Sequence, residues 1–133
     1  MLQELLKDTK AYPQILEYEL ARLKECKKDI YIFGGILGGM SLGAEVRRFL
    51  DKNGIEIKGY IANKSFIKTS FYLGKPIYSL EDSNLAKDIA IVIGMVGVKE
   101  KSNELKSYGY HNLYFFNIFR EMLGFRKFKS YFL

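Results

Sequence analysis

Asp29-Ile-Tyr-Ile-Phe-Gly-Gly-Ile-Leu-Gly-Gly-Met-Ser-Leu-Gly-Ala-Glu-Val-Arg-Arg-Phe-Leu50 runs from an apolar stretch, Ile30 to Phe33, into a segment holding Gly34, Gly35, Gly38, Gly39 and Gly43. Helical spacing follows at once. Leu42, Val46, Phe49 and Leu50 fall on one face of a helix predicted over Ser41–Lys52. A strand, a glycine turn and a helix in this order aim backbone N–H groups and a helix N-terminus at an anion. The glycines fit a G-x-G-x-x-G element in two registers. One is Gly34 to Gly39, with Ile36 at the crowded middle position. The other is Gly38 to Gly43, with Met40 there. The distance from Gly43 to the helix stop at Asn53-Gly54 favours the second, which leaves Gly35–Gly38 as extra residues between strand and turn.

Working outward, residues 2–28 read as helix. Leu2, Leu5 and Leu6 form one apolar cluster, and Ile15, Leu16, Leu20 and Leu23 form another. Pro13 should break it near Ala11–Pro13, because proline lacks an N–H and keeps Tyr12 out of the α region. Downstream, Ile55, Ile57, Tyr60 and Ile61 mark a second strand, and Asn63 to Gly74 reads as a basic loop. Lys75–Ser79 reads as an edge strand because of Pro76. A small helix is expected from Ser79 through Ala86, with Ser79 as N-cap. Ile89 to Gly94 is a second fully apolar strand and the best partner for the first. A polar helix over Lys99–Ser107 should stop at Gly109. Asn112–Phe116 is a further strand, and the tail is expected to be helical through Leu123, with Gly124 closing it.

Alternating strands and helices of this size predict an α/β fold. The expected form is Rossmann-like, with an about five-stranded, mainly parallel sheet, helices on both faces and an N-terminal helical extension. Residues 1–133 make one domain, divided into N-terminal helices (1–28), a core (29–116) and a C-terminal helix and tail (117–133).

Lys and Arg number 21 against 15 Asp and Glu, a formal net charge of +6. The surplus lies in two segments. Residues 64–76 carry Lys64, Lys68 and Lys75 with no acid, and residues 117–133 carry Arg120, Arg126, Lys127 and Lys129 against Glu121. Such a field suits phosphate-bearing ligands, anionic lipid headgroups or nucleic acid, and it equally marks a lysine-rich chain with no specific partner. The tail Phe125-Arg-Lys-Phe-Lys-Ser-Tyr-Phe-Leu133 reads first as an element that packs its rings on the core and leaves its cations in water, and second as one that rests on an anionic membrane surface or docks a partner. No nucleic-acid partner is expected. No apolar stretch approaches the roughly 20 residues that span a bilayer, and the charged N-terminus lacks a signal-peptide core. The single Cys26 cannot form an internal disulfide. A cytoplasmic location is therefore expected.

A dinucleotide site places Asp or Glu at the end of its second strand to accept the ribose hydroxyls. Here that strand ends Gly59-Tyr-Ile-Ala-Asn63-Lys64, with no acid. Asn63 can hydrogen-bond a ribose, and Lys64 or Lys68 can pair with a phosphate. The candidate nucleotide-binding set is Gly34, Gly35, Gly38, Gly39, Met40, Ser41, Gly43, Asn63, Lys64 and Gly94. No catalytic set is legible. His111 has no orienting partner in sequence, and with Cys26 it falls short of a metal ligand set. Gly39-Met40-Ser41-Leu42-Gly43 matches the nucleophile pattern G-x-S-x-G. The stretch from Ser41 to His111 is too short for a hydrolase core.

Three segments together resemble a known pattern: Ile30-Tyr-Ile-Phe-Gly-Gly35 with Gly43 and its helix, Gly54 to Asn63, and Leu73-Gly-Lys-Pro-Ile-Tyr-Ser-Leu-Glu81. The chain is similar to the small Rossmann-like domain that precedes the catalytic part of many FkbM-type methyltransferases. It is also similar to the sugar-nucleotide-binding N-terminal part of PglD-like sugar acetyltransferases. The resemblance covers roughly residues 29–116. It implies a nucleotide or nucleotide-sugar phosphate facing Gly34, Gly35 and the Gly38–Gly43 turn, with Ala62 where those families carry aspartate before an asparagine like Asn63. It implies a binding module accessory to surface-glycan synthesis, without the catalytic domain. The ligand is left open among nucleotide, nucleotide sugar and NAD(P), and the partner between a second copy and a glycan-biosynthesis enzyme. The other reading is a non-catalytic dimerisation or docking domain with a degenerate nucleotide site.

Overall fold

A computed structural model describes residues 12–34, 42–95 and 97–116 of the chain. Helix α1 spans Tyr12–Cys26, so Tyr12 is helical although Pro13 was expected to keep it out of the α region. The predicted earlier helix, with Leu2, Leu5 and Leu6, lies outside the described residues. So does the tail, with its expected stop at Gly124. Strand β1 is Ile30–Phe33 and helix α2 is Leu42–Lys52. Strand β2, Gly59–Ala62, is followed by a 3₁₀ turn at Lys64–Phe66 and by the short strands β3, Phe71–Tyr72, and β4, Lys75–Ser79. Strand β5 is Ala90–Ile93, helix α3 is Val98–Ser107 and strand β6 is Leu113–Tyr114.

The six strands form one sheet in the order β3-β4-β2-β1-β5-β6. All neighbours are parallel except β3 and β4, which form an antiparallel hairpin. From β1 the chain builds outward through β2 to β4, then returns to the other side of β1 to place β5 and β6. The order therefore reverses between β1 and β5, at the centre of the sheet.

The residue alternation of the strands divides the core into two layers. Ile32, Tyr60, Ala90, Val92 and Tyr114 face one layer, where Leu16 and Leu23 of α1 pack with Val46 and Leu50 of α2. Tyr31, Phe33, Ile61, Ile91 and Ile93 face the other, covered by Leu105 of α3 and by Leu80 and Ile89. Helices lie on both faces, as the fully apolar central strands demand. Both β-flanking helices end in the same way. Gly54 and Gly109 take positive φ, while Ile55 N–H and Tyr110 N–H donate back to the carbonyls of Leu50 and Leu105 at 2.9 and 3.1 Å. Each donor's side chain then joins the core cluster of its acceptor.

Two expectations are corrected. From Ser79 through Ala86 no helix forms: Ser79 closes β4, residues 80–82 turn, and residues 83–86 are irregular. Ser79 Oγ accepts the Asp82 N–H at 3.1 Å, but Leu80 N–H goes to Ala62 O at 2.9 Å, which prolongs the sheet. Asp82, Ser83 and Asn84 favour such local turns over helix. The sheet also has a sixth strand, because Phe71–Tyr72 folds back on β4. Lys75–Ser79 is therefore an inner strand. Pro76 is tolerated there because it lies opposite Phe71, between the flanking pair that bonds Ile77 N–H to Ser70 O, and ahead of Ile77, where pairing with β2 begins.

Candidate functional site

The carboxyl ends of β1, β2 and β5 form one edge of the sheet, and the order reversal opens there. At the end of β5, Gly94 N–H donates to Phe33 O at 3.0 Å. A Cβ on Gly94 would stand 2.9 Å from Ile32 Cγ2 and 3.1 Å from the Cα of Gly43. The first turn of α2 is thus seated directly on the end of β5, and Gly94 has no room for a side chain. Close approach of this helix N-terminus to the sheet is what a glycine at that position allows. At the end of β1, Gly34 has φ +86 and donates its N–H to Ile61 O at 2.8 Å. A Cβ on Gly34 would collide with the sulfur of Met95, whose side chain lies over the glycine.

The structure therefore brings Gly34, Gly43 and Gly94 of the candidate set to one place. Gly35, Gly38, Gly39, Met40 and Ser41 lie outside the described residues. Asn63 and Lys64 stand at the end of β2, the next strand, but with their side chains engaged. Asn63 Nδ2 donates to Glu104 Oε2 of α3 at 2.9 Å. The Lys64 ammonium lies 3.0 Å from Asp82 Oδ2, and its backbone N–H donates to Glu81 Oε1 at 3.0 Å. Lys68 is exposed in the loop beyond. The first turn of α2 holds one acid, Glu45, which is paired with Arg48 at 2.6 Å.

Glu104 and Met95 escaped the sequence reading. Glu104 looks like a solvated helix residue, and it meets Asn63 only because α3 lies against that end of the sheet. The one available signal was negative: β2 ended without the acid that a ribose site needs.

The remaining candidates fall away from this edge. His111 is exposed and precedes β6, at the opposite, amino-terminal edge of the parallel strands from the start of α2. Cys26 is half-buried at the end of α1 and bonds the Tyr114 hydroxyl. Among the described residues no group of His, Cys, Asp and Glu is placed to hold a metal ion. Among the same residues no helix is long and apolar enough to cross a membrane.

Compared with protein-family models, with curated proteins and with solved structures, the chain matches none.

Proposed function

We propose that this chain is a Rossmann-like module that binds a nucleotide or nucleotide sugar and has no catalytic activity of its own. The observation that carries the reading is the seating of Gly43 on Gly94 where the strand order reverses. Open α/β sheets bind ligands outside the carboxyl ends of their strands at such a reversal, with the helix after β1 presenting its N-terminus to phosphate. In this reading Gly43 is the packing glycine of the turn, as the Gly38–Gly43 register would have it, and Gly34 lines the approach from β1. The resemblance to domains that precede methyltransferases and sugar acetyltransferases of glycan synthesis makes a nucleotide sugar the favoured ligand and a glycan-biosynthesis enzyme the favoured partner.

A thermal-shift panel of nucleoside diphosphates, nucleotide sugars, NAD(P) and S-adenosylmethionine tests this. Saturation at a hundredfold excess over Kd contributes about 2.7 kcal/mol, so at least one ligand should raise the melting temperature by several degrees. Gly43→Val, with folding checked by circular dichroism, should abolish that rise.

One observation favours a second reading, a docking or dimerisation domain whose nucleotide site has lapsed. Phe66, Phe71 and Leu73 are all exposed beside the outer strand β3, at 56%, 62% and 46%, more apolar surface than a single scattered residue presents. A flat ligand panel together with a dimer by light scattering would establish that reading over the first.

A further inference from the structure

The second strand of a nucleotide site supplies a carboxylate for the ribose, and this β2 has none. The missing group stands there all the same. Asn63 directly follows β2, and its side-chain amide holds Glu104 Oε2 at 2.9 Å across 41 positions of sequence. Lys101, one helical turn earlier on α3, places its ammonium 3.8 Å from the other oxygen, Glu104 Oε1. The Glu104 side chain remains 32% exposed, so it is fixed by two neighbours without being closed off. A carboxylate has about four acceptor sites, and a single amide N–H leaves most of them open.

We infer that Glu104, oriented by Asn63, accepts the 2′- and 3′-hydroxyls of a ribose, so that the site selects ribonucleotides. The inference rests on the nucleotide-binding reading above and adds its sugar specificity. The geometry suits the order of groups in a nucleotide. Phosphate belongs at Gly34 and the first turn of α2, beside β1. The ribose, one linkage away, falls toward β2, the neighbouring strand at about 4.8 Å. Two hydroxyl donors to one carboxylate are charge-assisted hydrogen bonds, and a ligand lacking one hydroxyl leaves an acceptor unpaired. Lys64 is engaged elsewhere, its ammonium 3.0 Å from Asp82 Oδ2.

Isothermal titration of the full chain with ADP, UDP and GDP and with their 2′-deoxy counterparts tests the inference on the unaltered protein. The ribonucleotide should bind at least tenfold more tightly than its deoxy counterpart. In Glu104→Gln the preference for the ribonucleotide should largely collapse, because the ribonucleotide loses the acceptor of two hydroxyls while the deoxy form loses that of its 3′-hydroxyl alone. Equal affinity for ribo and deoxy forms would overturn the inference and leave the nucleotide reading standing. Equal weakening of both forms by Glu104→Gln would reduce Glu104 to a strut between α3 and β2, which also overturns it. Binding of none of the six probes would overturn nucleotide binding together with this inference.

Discussion

Leu73 has φ +47 and is followed by Gly74 at φ +78, so the two-residue link between β3 and β4 takes positive φ at both positions. Such hairpins ordinarily carry Asn-Gly, because asparagine tolerates the left-handed region and a leucine does not. The strain is held by Arg47. Its guanidinium donates to Leu73 O at 3.1 Å and to the Tyr60 hydroxyl at 2.9 Å, while Asp51 grips its Nε. Leu73→Asn should therefore stabilise the protein by about 0.5–1 kcal/mol, read as a higher urea midpoint at unchanged m-value. A lower midpoint would show that the leucine side chain contributes more than its backbone costs. Gly59 works in the opposite sense. A Cβ there would lie 2.7 Å from Pro76 O and 2.9 Å from Tyr78 Cε2, and the vacant space lets the Tyr78 ring cross β2 to meet Tyr31 edge-on at 5.7 Å. Both features depend on φ or on a neighbouring strand, so neither could be read from the residue type alone.

Among the elements, α1 has the least obvious role. It precedes the sheet in sequence and packs Leu16 and Leu23 over the layer that also holds Tyr114 and Phe116. Arg22 fastens it to the outer strand. Its Nη2 donates to Leu113 O at 3.0 Å, its guanidinium carbon lies 3.9 Å from the centre of the Tyr114 ring, and Glu19 holds its Nε at 3.0 Å. The carbonyl it takes points away from β5, because Asn112 O is the one that accepts Ile91 N–H. An edge left open is a template for pairing with another chain, and Arg22 occupies part of it. Arg22→Ala should cost about 1–2 kcal/mol and speed hydrogen exchange at β6 more than at β5. Uniform exchange across the two strands would argue that α1 docks through its leucines alone. The amphipathic face of α1 was legible from leucine spacing, but its place over β6 was not, since nothing local says which strand a helix covers.

At the scale of the molecule, burial holds several tyrosine hydroxyls neutral. Tyr114 is pushed up to about 12, first by burial, then by its hydrogen bond with Cys26 and the nearness of that thiol. Tyr31 and Tyr60 are also raised, again first by burial. In the unfolded chain a tyrosine ionises near 10. Their contribution to stability is therefore whole below about pH 10 and is lost as the pH rises toward 12. Urea midpoints at pH 8, 10 and 11, followed with phenolate absorbance, should hold to pH 10 and then fall. A midpoint level through pH 11 would contradict this burial. On the acid side, Glu56 beside Lys75 and Asp88 beside Lys28 are both lowered by those partners. Their stabilisation is present above the ordinary carboxylate range and lost below it, and it is small because both are fully exposed. The sequence by itself determined the strand Ile30–Phe33, the strand within Ile89–Gly94, and the helices that stop at Gly54 and Gly109. These follow from side-chain periodicity and turn chemistry, which act over a few neighbouring residues. Only the tertiary structure decided that the order reverses between β1 and β5, that Gly43 is the glycine seated on Gly94, that Phe71–Tyr72 adds a strand, and that Glu104 reaches Asn63. Each of those is a contact between residues distant in the chain. It forms only when pairing and packing of the whole sheet bring them within reach, so no local pattern records it.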